Sequence, residues 1–198
     1  MADTAFQIQL LMATPALGFQ PETIGSVVVS EVTDAAMVTV AFDASQSDDI
    51  LDRLSLDAWK NTQAVGQSAV GELSGDLECR FALLQPGQLW IMAHCEPETL
   101  MQSAHALVSD SAWLTDQSDG WAIVSLDGKS EEDALTVLSR LCMLDLSTLP
   151  DGTVSRTLVA HMSVIVLKQS PTKYWLLGAR SLADDLLHSV RQAARNAA

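Results

Sequence analysis

The sequence predicts an α+β protein of two similar β-α-β-β-α halves, related by approximate two-fold symmetry, with helices packed on mainly antiparallel sheets. Three observations carry this expectation. Residues 37–108 repeat in pattern when moved 84 to 86 positions onto residues 121–194, each half holds two β-rich runs around a turn residue, and each closes with an amphipathic helix.

In chain order, residues 1–35 form an N-terminal arm or strand: 27–32 has strand character, and 1–13 suits an ordered arm or a frayed tail equally. The first half, 36–108, opens with a β-rich run at 37–42 ending in Asp43, matched at 121–126 by a run ending in Asp127. Val40 then falls on Val124, Phe42 on Leu126, and Leu51 and Leu54 on Leu135 and Leu138 within helical stretches. Ser130, with Asp133 three residues on, marks a helix start, and Ala134, Val137, Leu138 and Leu141 form one apolar stripe.

Strands at 79–85 and 89–94 flank Pro86-Gly87, and strands at 163–169 and 174–179 flank Pro171, so each pair reads as a hairpin. Trp90 and Trp175 hold equivalent core places. The closing helices are 97–108, opened by Pro97, and 182–194, with Ser181 as its cap. Gly- and Ser-rich 66–75 is expected as a connection and 109–120 as a linker to the second half, 121–198. The whole is expected as one compact unit with a shared core.

Charge and composition exclude several classes of function. The net charge of −14 opposes nucleic-acid binding, which needs clustered Lys and Arg on phosphates. All of the imbalance lies in residues 1–120, with 3 basic and 17 acidic side chains, whereas residues 121–198 carry 8 of each. An acidic solvated surface aids solubility, and it also steers toward a basic partner. No apolar run reaches the roughly 20 residues of a membrane helix. The N-terminus lacks a basic n-region, and three irregularly spaced cysteines make no disulfide framework, so a cytoplasmic location is expected.

The leads for chemistry are weak. Cys79, His94, Cys95 and His105 form the most suggestive group; a three-residue hairpin loop puts Cys79 opposite Cys95 and turns His94 to the other face. That leaves a cross-strand redox pair or two ordinary thiols, and too few donors for zinc. His161 and His188 stand alone. G-x-S-x-G, P-loop and G-x-G-x-x-G signatures are missing. The acid pairs Asp48-Asp49, Glu131-Glu132 and Asp184-Asp185 fall in first helical turns, where carboxylates meet the helix dipole. No catalytic, cofactor-binding or metal residue is therefore assigned.

The stretch 140–146, RLCMLDL, followed by Pro150, Asp151, Gly152 and Arg156, is least explained by fold alone. It suits a helix terminus and turn, or an exposed loop that docks another chain. Its candidate interface residues are Arg140, Met143, Asp145, Leu146, Pro150 and Arg156. Together with Arg156-Thr157, Tyr174-Trp175-Leu176-Leu177 and Arg180-Ser181-Leu182-Ala183, this segment resembles the gamma-subunit family of heterotetrameric sarcosine oxidases, over about residues 79–195. Met143 stands where that pattern has proline, and Leu182 where it has phenylalanine.

The resemblance implies a fold similar to the folate-binding domain of glycine-cleavage T-protein. It also implies a non-catalytic role beside alpha, beta and delta subunits, with alpha as the main contact, in the oxidative demethylation of sarcosine to glycine. FAD, FMN, NAD, zinc and tetrahydrofolate are then implied for the partner subunits and none for this chain. Two alternatives stay open: a tetrahydrofolate-binding, aminomethyltransferase-like protein, and a stand-alone small-molecule sensor with a cleft between its halves.

Overall fold

A computed structural model describes residues 15–56, 65–73, 76–108 and 110–198. The arm or tail expected at 1–13 lies outside the described residues. In chain order the elements are β1 (Glu22–Ile24), β2 (Val27–Val32), β3 (Ala35–Ala41), α1 (Ser47–Arg53), β4 (Gln67–Leu73), β5 (Leu77–Gln85), β6 (Gln88–His94) and α2 (Pro97–Val108). They continue as β7 (Trp113–Asp116), β8 (Trp121–Gly128), α3 (Glu131–Leu141), β9 (Val154–Val159), β10 (Met162–Lys168), β11 (Lys173–Ala179) and α4 (Ala183–Ala197).

The strands form two antiparallel sheets, ordered β1-β2-β8-β11-β10-β9 and β4-β5-β6-β3-β7. Leaving β1 aside, the orders superimpose as β2-β8-β11-β10-β9 on β7-β3-β6-β5-β4, which is the expected two-fold relation. Each half has one strand more than the sequence pattern suggested. β4 lies within 66–75, expected as a connection, and β9 begins inside the 140–156 stretch. Most of their side chains are exposed or half-buried, as at sheet edges, where the apolar signal is weakest.

The halves also exchange a strand. β2 precedes β3 in the chain but pairs with β8, and β7 precedes β8 but pairs with β3. Residues 109–120, expected as a linker, therefore contribute an edge strand to the first sheet, and the N-terminal region contributes β2 to the second. This exchange ties the halves together more firmly than a linker could. At the opposite edges β4 and β9 meet: Gln67 bridges Thr153, the Ser68 N–H donates to the Gly152 carbonyl at 2.6 Å, and the Val154 N–H donates to the Gly66 carbonyl at 2.8 Å.

The sheets stack face to face, with helices on their outer faces. The core shared by the two halves is one of three apolar clusters. One joins α3 and α4 to the six-stranded sheet through Leu138, Leu176 and Leu186; a second joins α1 and α2 to the five-stranded sheet through Ile50, Phe81 and Leu100. The third lies between the sheets and holds Met37, Trp90, Ile165, Trp175 and Leu177. Central strands are thus covered on both faces, which is why β3, β8 and β11 read as continuous apolar runs.

Two registers differ from expectation by two residues. Thr39 pairs with Trp90 as Ser125 pairs with Trp175, so Val40 corresponds to Leu126, not Val124. A two-residue turn with a bulge replaces the three-residue hairpin loop: Arg80 pairs with Met92, which brings Cys79 level with Ala93 rather than Cys95. A strand repeats every two residues, so such slips keep every side chain on its face and leave the apolar pattern unchanged. In the helices, the buried triple Ile50, Leu51, Leu54 recurs as Val137, Leu138, Leu141, while Leu135 is only half-buried.

Candidate docking surface around helix α3

The surface is built on α3, whose start follows local chemistry. The Ser130 hydroxyl accepts from the Asp133 N–H at 3.2 Å and donates to the Asp133 carboxylate at 2.7 Å, satisfying a first-turn donor that lacks a helical partner. Those bonds hold the Asp133 carboxyl below its ordinary value. Glu131 and Glu132 share the first turn, as expected, and the apolar stripe packs on the sheet. The helix ends at Cys142, which is buried and extended, and the chain then crosses the surface to Gly152 before entering β9.

The six residues proposed from sequence do not behave alike. Arg140 is exposed in the last helical turn, and Met143 is fully exposed at 102%. Asp145 is exposed and organises the turn: the Ser147 hydroxyl donates to its carboxylate at 2.5 Å, and the Thr148 hydroxyl to its carbonyl at 3.0 Å. Pro150 is exposed, with its carbonyl accepting from the Thr153 hydroxyl at 2.7 Å. Arg156 is exposed on β9, across from Ile165. Leu146 is a correction: at 3% exposure it belongs to the α3–α4 core and anchors the loop instead of offering a contact.

Beneath this loop lies a residue that sequence reasoning passed over. Lys168 is only 4% exposed, and its ammonium donates to the carbonyls of Leu149 at 3.0 Å and Leu146 at 3.3 Å. It also pairs with Glu131 at 3.5 Å and Asp151 at 3.8 Å. A buried cation is tolerated only when such partners replace its water, and here they are two loop carbonyls and two carboxylates. Lys168 therefore fixes the 146–151 turn against α3. Tyr174 sits level with it on the neighbouring strand, wholly buried, its hydroxyl without a hydrogen-bond partner among the described residues. Burial, and then the Glu131 and Asp151 carboxylates, push that phenol up to about 12.

Between α3 and this loop runs an open groove of about 760 Å³. Leu135, Leu138, Leu144 and Leu146 give its apolar surface, and Glu131, Glu132 and Asp145 its charges. The signal that could have found it is Leu135, an apolar side chain just off the helix stripe.

The other leads resolve into structure. Cys79, Cys95 and Cys142 are free thiols. Burial, and then the neighbouring Cys95, push Cys79 up to about 12, so it is a poor nucleophile. His94 faces Asp34 at 3.2 Å, on the far side of the strand from Cys79. Among the described residues no group of three or more His, Cys, Asp and Glu could hold a metal ion. Asp48-Asp49 and Asp184-Asp185 lie in first helical turns. Ser181 is not a cap: a 3-10 turn at Arg180–Leu182 leads directly into α4. Among the described residues no helix is long and apolar enough to cross a membrane.

Architecture defines the class: an α+β protein of two strand-exchanged halves, helices outside and two antiparallel sheets inside. It is a fold shared with a chain of the heterotetrameric sarcosine oxidase from Corynebacterium sp. U-96, solved with pyrrole 2-carboxylate, at a TM-score of 0.70 and 21% identity. The match covers 88% of this chain and 87% of that one. Glycine cleavage system aminomethyltransferase T from Bartonella henselae has the fold too, at a TM-score of 0.58 and 12% identity over 84% of this chain, which spans about half of that protein, 48%. No protein-family model matches the chain, and no curated protein matches its sequence.

Proposed function

We propose that this chain is an accessory, gamma-type subunit of a heterotetrameric sarcosine oxidase-like complex, supporting oxidative demethylation of sarcosine to glycine by the other subunits. The observation that carries the reading is the likeness to a chain of such an enzyme over most of this chain, at nearly equal shares of both. The likeness to the aminomethyltransferase reaches only about half of that protein and supports a common fold before a common reaction. Alpha, beta and delta subunits are the partners, alpha first, and Arg140, Met143, Asp145, Pro150 and Arg156 are candidate contacts. FAD, FMN, NAD, zinc and tetrahydrofolate are assigned to those partners.

Co-expression with the alpha-, beta- and delta-type subunits of the same organism tests this. The chain is expected to co-purify in stoichiometric amount, and its omission to lower the yield of active oxidase. A complex that assembles and turns over sarcosine normally without the chain rejects the reading. Titration of the isolated chain with tetrahydrofolate, showing micromolar binding, would favour a carrier instead.

A further inference from the structure

We infer that the groove between α3 and the 144–147 turn seats a partner-subunit segment presenting an apolar side chain flanked by lysine or arginine; this rests on the accessory-subunit reading. The groove combines two features that select such an occupant. Its floor is aliphatic: the half-buried Leu135 and Leu144 offer contact to one buried anchor, over Leu138 and Leu146 of the core beneath. Its rim is acidic, from Glu131, Glu132 and Asp145, and among the described residues lining it none is basic.

Lys168 does not cancel that rim. It lies below the surface with its ammonium taken up by Glu131, Asp151 and two carbonyls, so Glu132 and Asp145 face solvent without it. Met143, fully exposed on the same loop, extends the apolar contact beyond the groove. A second copy of this chain is a poor occupant, because at −14 the two copies repel, whereas basic side chains are drawn to the rim and fix the register of docking. The turn is already held by Lys168 and by the bonds to Asp145, so little ordering accompanies binding.

The test uses the co-expressed complex and a double variant, Glu132→Lys with Asp145→Lys, against a control, Asp184→Lys with Asp185→Lys, on exposed positions of α4. Wild type and control are expected to assemble equally, the groove variant at least about tenfold more weakly, and wild-type affinity to fall as salt rises. A groove variant that keeps the wild-type unfolding midpoint and assembles with unchanged affinity overturns the docking site while the subunit reading stands. A wild-type chain that fails to assemble overturns both. Ser139→Cys carrying a thiol-linked photocrosslinker supplies a second readout: the captured partner peptide is expected to contain Lys or Arg beside an apolar residue. Capture of a second copy of this chain, or of an acidic partner segment, overturns the proposal.

Discussion

At one pair of equivalent positions the two halves differ in kind. The second half places Lys168 beside Tyr174, and the first half places Leu83 beside Leu89 in the same register. Leu83 and Leu89 are ordinary core residues, 6% and 0% exposed. Lys168 and Tyr174 are just as buried, yet they carry, under a loop that crosses the surface, a cation and a hydroxyl unpartnered among the described residues. A duplicated fold can thus keep its sheet and helix positions while turning one buried pair into a support for a surface feature. The charge distribution follows the same division, because the acidic excess lies in residues 1–120 and the α3 surface lies on the electrically balanced part.

The most damaging way to break this difference is to give the second half the first half's chemistry. Lys168→Met keeps the length and removes the donor, leaving the carbonyls of Leu146 and Leu149 unbonded beneath α3. The expected loss is about 3 kcal/mol of unfolding free energy, read by urea denaturation, with amides of the 146–151 turn losing hydrogen-exchange protection. A variant as stable as wild type would mean that the loop repacks without the lysine. Leu83→Met, at the equivalent place, is expected to cost under about 1.5 kcal/mol, since volume and polarity are nearly kept.

A second contrast concerns how each half enters its first helix. In the first half a 3-10 turn at Ala44–Gln46 separates β3 from α1, and Phe42 fits at the strand end. In the second, α3 follows β8 so closely that a Cβ on Gly128 would stand 2.7 Å from the Ser130 carbonyl oxygen and 2.8 Å from the Ala134 nitrogen. Both obstacles are backbone, so Gly128→Ala is expected to cost about 2 kcal/mol through displacement of the helix start. Differential scanning calorimetry reads it as a lowered midpoint. An unchanged midpoint would show that α3 can shift as freely as the entry to α1.

These contrasts also explain what could be read from sequence. Repeats, helix stripes and the Ser130 cap were legible because they depend on local periodicity and on hydrogen bonds three residues apart. The exchanged strands β2 and β7 were not, since nothing in a strand's own residues says which sheet it joins. β4 and β9 escaped because edge strands lack a continuous apolar run. Leu146 was misplaced because one apolar residue between polar ones suits an exposed loop and a core anchor alike. Lys168 ends an apolar strand, where lysine ordinarily marks the exit to solvent, and only the loop folded over it makes it internal.

Smaller effects refine the comparison. Ser130→Ala removes the cap of α3 and is expected to cost about 1 kcal/mol. Asp133 loses its main hydrogen bond in the same variant, and the sign of its pH dependence follows. Its carboxyl is held below 3.8 in the folded protein, so its contribution is complete above 3.8 and is lost as pH falls through the lower folded value. The variant should therefore lose less stability than wild type on acidification below that point. Equal acid sensitivity, measured by denaturant midpoints, would mean that the Ser130 bond is not what holds Asp133 down.

The finest test separates the two members of the buried pair. Tyr174→Phe removes a hydroxyl that has no hydrogen-bond partner among the described residues, so at neutral pH it is expected to change stability by less than about 1 kcal/mol, and toward gain. Alkaline pH should bring out the difference. The Tyr174 phenol stands at about 12 in the folded chain against 10.0 ordinarily, so its stabilising contribution is complete below 10.0 and disappears as pH rises toward 12. Cys79, raised from 9.0 to about 12 in the other half, adds a loss that begins a unit lower. Tyr174→Phe should thus make the decline shallower above 10.0 and leave it unchanged between 9.0 and 10.0, whereas Cys79→Ala should make it shallower over the whole range at the cost of a small cavity, with the raised Cys95 and Cys142 thiols supplying the rest. If Tyr174→Phe destabilises the protein at neutral pH by as much as Lys168→Met, the hydroxyl is bonded after all, and lysine and tyrosine support the loop as one unit.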